Sequence, residues 1–175
     1  PLLALNLPSP DKVVRHEGYA TQILDRNGET LYNVYVNQRR NPVNLSDIPL
    51  YLRQATIAIE DKNFYKHKGF DVLGILRGFT RIFTRGYAQG GSTLTQQLVK
   101  NVLLSADRTL VRKIKEFVLA IEIETKYSKD EILQMYLNEA PYGGTAWGVE
   151  AAAEVYFGKK VNELDLIIPH CIQKS

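Results

Sequence analysis

The chain has 175 residues, 45% hydrophobic and 23% charged, with 22 basic against 19 acidic side chains and a net charge of +3. That length and apolar content supply one sizeable core and make a single domain the default, while a charge this weakly positive gives no case for nucleic acid and stays compatible with an anionic substrate or a membrane surface. The lone cysteine, Cys171, excludes an internal disulfide and leaves the redox compartment unread. As read, the sequence holds no secretion address and no apolar run long enough to span a bilayer.

Residues 1–20, with Pro1, Pro8 and Pro10 near the start, read as an extended lead-in. From Thr21 to Val36 two β-rich runs flank Asp25, Arg26, Asn27 and Gly28, and Asn-Gly between such runs predicts a hairpin. The pattern then turns helical. Ser46, three residues before Pro49, is the expected cap of a helix in which Leu52, Ala55 and Ile59 recur at three- and four-residue spacing and which ends at Glu60.

Glu60 and Asp61 close that apolar run, and Phe64, Tyr65, His67 and several lysines crowd in behind them. A carboxylate left beside aromatic rings at an apolar helix end is partly desolvated, which suits it to act as a general base. Taken alone, the stretch favours the plainer reading of two solvated acids paired with the neighbouring lysines, so the base needs support from downstream.

Asp71 is a plausible cap for a helix to about Arg85, with Val72, Ile75, Leu76, Phe79 and Phe83 as one stripe and Arg77, Arg81 and Arg85 on the other side. That arginine face reads as a solvated surface or as a contact for lipid headgroups or phosphate. Gly86, Gly90 and Gly91 break the helix and lead into Ser92, Thr93 and a helix through Asn101, whose exposed backbone N–H groups could bind an anion. A helix from about Ser105 to Tyr127 is expected to turn Leu110, Ile114, Phe117, Val118 and Ile121 to the core. Its other face carries Arg108, Arg112, Lys113 and Glu116, three cations to one carboxylate, so positive charge is left over for an external anion. A solvated ion-pair ladder is the competing reading. Ser128 to Glu131 forms a capping box opening a helix that stops by Pro141, with Met135 and Tyr136 assigned to the core. An alanine-rich helix from Val149 to Phe157 closes at Gly158. His16, His67 and His170 are too far apart in sequence to suggest a metal site, and His67 reads as a hydrogen-bonded structural residue.

Taken in order, these blocks resemble the peptidoglycan glycosyltransferase domain (glycosyltransferase family 51) of penicillin-binding proteins and monofunctional transglycosylases. The first family block, E-D-x-x-F-x-x-H-x-G-x-D, is filled by Glu60, Asp61, Phe64, His67, Gly69 and Asp71, and the second stands as GGSTLTQQLVKN from Gly90 to Asn101. Arg108, Arg112, Lys113 and Glu116 fill the third, and KDEILQMYLN and GVEAAAEVYFGK resemble the later ones. Gln134 stands where the family usually has glutamate. After Leu166 the chain departs from the family's acidic, alanine- and leucine-rich helix, so residues 21–166 are taken as the domain and 167–175 as an atypical tail.

The resemblance implies a mainly α, lysozyme-like fold with a small N-terminal β-hairpin, acting on lipid II and the growing glycan strand at the outer face of the bacterial cytoplasmic membrane. Glu60 would be the base, and Glu116 would orient the cations and the donor phosphate. Ser92, Thr93, Gln97, Lys100, Arg108, Arg112 and Lys113 would bind substrate, with Asp61, Phe64 and His67 as support. It also implies moenomycin-type inhibitors and other cell-wall synthesis and division proteins as partners, and no nucleic acid. No cofactor is obligatory; a divalent cation, Mg2+ or Mn2+, would bridge the pyrophosphate. A lysozyme-like glycosidase, or a non-catalytic module binding anionic lipid, stays open as an alternative.

Overall fold

The computed structural model describes residues 7–14, 21–28, 30–34, 41–70, 92–104 and 109–165. The helix expected over 71–85 with its arginine face, Gly86, Gly90, Gly91, the region of Ser105 and Arg108, His16, His170 and the tail from residue 166 all lie outside the described residues.

Within the segment read as a lead-in, Pro10–Val13 forms a 3-10 turn, and Val13 is buried in the main core. Two short strands, β1 (Thr21–Leu24) and β2 (Thr30–Val34), pair antiparallel with Ile23 opposite Tyr32. Between them Gly28 takes φ 85°, a conformation open to glycine at no steric cost.

The remaining regular elements of the described chain are helical. Helix α1 (Leu50–Glu60) begins at Pro49, not at the expected cap Ser46, which sits in a 3-10 turn (Leu45–Asp47) with its hydroxyl on the Asp47 carboxylate at 3.3 Å. Proline explains the difference: its ring presets φ, here −53°, and its carbonyl accepts the N–H of both Leu52 and Arg53. The helix stops where Asp61 swings to φ −153°, so that consecutive acids point in different directions.

Helix α2 (Leu94–Val102) is the centre of the structure. It packs against the next two helices, α3 (Leu110–Lys126) and α4 (Lys129–Glu139), and against the turn at Pro10–Val13. Leu94, Leu98 and Val99 are buried with Leu119, Ile123, Ile132, Leu133 and Leu137 in one apolar cluster that Phe64 joins from the loop after α1. Ser128 and Glu131 form the anticipated capping box at the start of α4.

The buried face of α3 is not the expected one. Leu110, Ile114 and Phe117 are 86%, 52% and 38% exposed, whereas Leu119, Ala120 and Ile123 are buried together with Glu116, which is 2% exposed. The reason is charge pairing. Arg112 and Lys113 meet the Glu116 carboxylate and let it take a core-side position that hydropathy alone assigns to an apolar residue.

Helix α5 (Val149–Phe157) starts at Gly148, whose φ is 83° and where a Cβ would stand 2.5 Å from the Asn138 carbonyl oxygen. Gly148→Ala therefore combines a disfavoured backbone with a collision against the end of α4. We expect a loss of about 3 kcal/mol and a melting midpoint lower by about 10 °C. Gly158→Ala, also left-handed but with nothing within 4 Å of the added carbon, should cost only about 1 kcal/mol. Equal melting points for the two variants would remove the close approach as the cause.

Candidate active site

Asp61 and Glu60, adjacent in sequence, do different work. Asp61 is buried; its carboxylate accepts the Leu94 N–H at 3.0 Å and faces His67 Nε2 at 2.8 Å. An ionised carboxylate only accepts, so Nε2 is the donor in this contact. The acid thus ties the loop after α1 to the first residue of α2. Gly69 strengthens the tie: with φ 82° it lies against the backbone of α3 at Ala120 and offers its carbonyl to the Thr93 hydroxyl at 2.9 Å. Phe64 fills the space beneath, capped by Tyr65 edge-on at 5.2 Å and by the Lys129 ammonium 4.5 Å over its ring.

This arrangement revises the expected anion site at the start of α2. The Leu94 N–H is taken by Asp61, the Gln96 N–H by Thr93 Oγ1 and the Thr93 N–H by Gln96 Oε1 in a capping box. Thr93 is buried with its hydroxyl on the Gly69 carbonyl, so it holds the helix start.

What faces outward is a second set. Glu60, half-buried at the last turn of α1, receives a hydrogen bond from Gln97 Nε2 at 2.9 Å, and Gln97 Oε1 in turn accepts from the Tyr136 hydroxyl at 3.3 Å. Burial, and after it the Glu60 charge, holds the Tyr136 and Tyr142 phenols well above the usual range, so both stay protonated. Just before the cap of α2, Ser92 Oγ accepts from Lys113 Nζ at 2.8 Å. Lys113 also reaches Glu116 Oε2 at 2.8 Å, and Arg112 Nε lies 3.1 Å from Glu116 Oε1. Segment 92–97 thus links the two glutamates, Glu60 through Gln97 and Glu116 through Lys113 and Ser92. Lys100 is exposed, three residues beyond Gln97 on α2. Arg108 falls outside the described residues.

Glu60, Asp61, Phe64, His67, Ser92, Gln97, Arg112, Lys113 and Glu116 are therefore brought onto the start of α2 or against it. Tyr136, assigned to the core from its spacing, is buried as expected, yet its hydroxyl reaches the Glu60 side of the site; Tyr142 was missed. No local signal marks Tyr142, because its nearness to Glu60 is set by tertiary packing. Among the described residues no three His, Cys, Asp or Glu side chains gather as metal ligands.

A group of cations on α3 and a half-buried carboxylate at the end of α1 both reach segment 92–97, and comparison with known proteins gives the family. A model of the transglycosylase family matches residues 27–167. The chain is 51% identical over 146 residues to penicillin-binding protein 1A of Escherichia coli (strain K12), covering 83% of the chain and 17% of that protein. It is 43% identical over 154 residues to penicillin-binding protein 1F of Bacillus subtilis (strain 168), covering 87% and 21%, and 45% identical over 163 residues to penicillin-binding protein 1A of Aquifex aeolicus (strain VF5), covering 92% and 22%. The chain belongs to the transglycosylase family. It spans about a fifth of the length of these relatives.

Proposed function

We propose that this domain is a peptidoglycan glycosyltransferase that polymerises lipid II into β-1,4-linked glycan strands, in a lysozyme-like helical fold carrying an N-terminal hairpin. The observation that carries the reading is that segment 92–97 joins both parts, with Gln97 on the Glu60 carboxylate and Ser92 on Lys113, which with Arg112 meets Glu116.

The incoming lipid II offers a sugar hydroxyl. Its oxygen attacks the anomeric carbon of the growing strand, Glu60 takes the hydroxyl proton, and the bond from that carbon to the polyprenyl pyrophosphate breaks with inversion. The electron pair leaves with the pyrophosphate, and the proton on Glu60 returns to solvent. Charge grows on the leaving oxygens during this step, so Lys113 and Arg112, with Ser92 as a further donor, favour the transition state over the bound donor. Lys100, exposed on α2, adds to the same field, and the family resemblance assigns Arg108 a substrate-binding role. Glu116 holds the cations in place; with its oxygens facing Arg112 and Lys113 it does not itself present a cation site, and a divalent ion would enter as a companion of the pyrophosphate.

A lipid-linked substrate places the domain at the outer face of the cytoplasmic membrane. The exposed Leu110, Val111, Ile114 and Phe117 on the helix that carries Lys113 support that placement. Among the described residues no helix is long and apolar enough to cross a membrane. Partners among cell-wall synthesis and division proteins, and inhibition by moenomycin-type molecules, belong to the same proposal.

Product analysis tests it. The full-length protein given labelled lipid II should yield glycan many disaccharides long and leave preformed glycan uncut. Shortening of preformed strands would make the protein a glycosidase, and binding without either product would make it a lipid-binding module.

A further inference from the structure

The reaction proposed above makes no use of Tyr136, yet Tyr136 belongs to a continuous chain of polar contacts that ends on the base. The chain crosses three helices: Tyr136 on α4 donates to Gln97 Oε1 on α2 at 3.3 Å, and Gln97 Nε2 donates to Glu60 Oε2 on α1 at 2.9 Å. A primary amide has one donor end and one acceptor end, so each contact fixes the other. Tyr136 sits on a helix held by its own capping box and is buried, so its hydroxyl is a stationary reference point. The Glu60 carboxylate only accepts, which turns the nitrogen end of Gln97 toward it and the oxygen end toward Tyr136, whose phenol stays protonated and donates.

The consequence falls on the carboxylate. Oε2 of Glu60 is held by Gln97, while Oε1 has no partner among the described residues. One oxygen is restrained and the other is left for an incoming hydroxyl.

We propose that Tyr136 is a positioning residue for glycosyl transfer: acting through Gln97, it sets which oxygen of Glu60 receives the acceptor's proton. This rests on the reading of Glu60 as the base.

The test uses the full-length protein and lipid II, with kcat and KM followed against pH for Tyr136→Phe, Gln97→Ala and the double variant. Tyr136→Phe keeps the ring and removes only the hydroxyl. It should lower kcat about tenfold and change KM less than about twofold. The acid limb of the kcat profile should move to higher pH, because a carboxylate that loses a well-aligned donor takes up a proton more readily. In the Gln97→Ala background the same change should have almost no further effect, since the intermediary is gone. An acid limb that stays in place, or losses that multiply in the double variant, would overturn the positioning role and leave Tyr136 as packing. Glu60→Gln assayed in parallel separates the two failures: retained polymerisation there overturns the base itself, whereas its loss with an unmoved limb in Tyr136→Phe overturns the positioning role alone.

Discussion

Glu60→Gln is expected to reduce polymerisation of lipid II by roughly 1,000-fold, the range over which a positioned general base contributes. Substrate affinity should stay within about threefold, because an interaction made only as the proton transfers affects kcat and not ground-state binding. The substitution is a clean probe here. Glutamine matches glutamate in shape, and its amide oxygen can still accept the hydrogen bond that Gln97 Nε2 gives to Glu60 at 2.9 Å. Since Glu60 is only half-buried and Asp61 carries the tie to Leu94, the start of α2 should not shift and the melting midpoint should move by no more than a degree or two, roughly. Gel-resolved glycan from labelled lipid II measures the rate, and equilibrium binding of lipid II measures the affinity. Turnover above about a tenth of the unsubstituted rate would remove Glu60 from the chemistry.

The division of labour between Glu60 and Asp61 illustrates what the sequence could and could not carry. Their adjacency at the end of an apolar helical run marked the place, because helix endings, caps and turn residues are local and leave local traces: the Ser128–Glu131 capping box and the Gly158 stop are legible for the same reason. Which acid turns inward was not legible, since it depends on the φ of −153° at Asp61 and on an N–H from Leu94, thirty-three residues on. The stripe on α3 fails in an instructive way. Leu110, Ile114 and Phe117 have the spacing of a core face, but the core takes Leu119, Ala120 and Ile123 in line with a charged residue, Glu116, that hydropathy places outside. Periodicity reports that a helix has two faces; it does not say which of them a salt-bridged glutamate can share. Likewise the spacing of Tyr136 located its ring in the interior, while the hydroxyl's partner on α2 is a tertiary fact.

The cationic bay gives the second large effect. Lys113→Ala should lower kcat/KM by about 100-fold, with kcat falling and KM rising together, because the ammonium serves both the bound pyrophosphate and the charge that grows on it as the sugar departs. The competing view of Arg112, Lys113 and Glu116 as an ion-pair ladder that merely stabilises α3 makes the opposite forecast. Lys113 is 54% exposed at its side chain, so its pair with Glu116 is screened by water and its removal should cost less than about 1 kcal/mol of stability. Arg112, 19% exposed and 3.1 Å from the other carboxylate oxygen, still compensates the buried Glu116 when Lys113 is gone. A large loss of rate with an almost unchanged melting curve is thus the signature of a substrate-facing cation. Lys113→Arg refines the point: it keeps the charge but exchanges a compact ammonium, bonded at 2.8 Å to both Ser92 Oγ and Glu116 Oε2, for a planar fork that cannot keep both contacts unchanged. It should recover binding more fully than kcat. If Lys113→Ala left kcat/KM within about fivefold while the melting midpoint fell, the bay would be a stabilising ladder, and the leaving pyrophosphate would have to be held elsewhere.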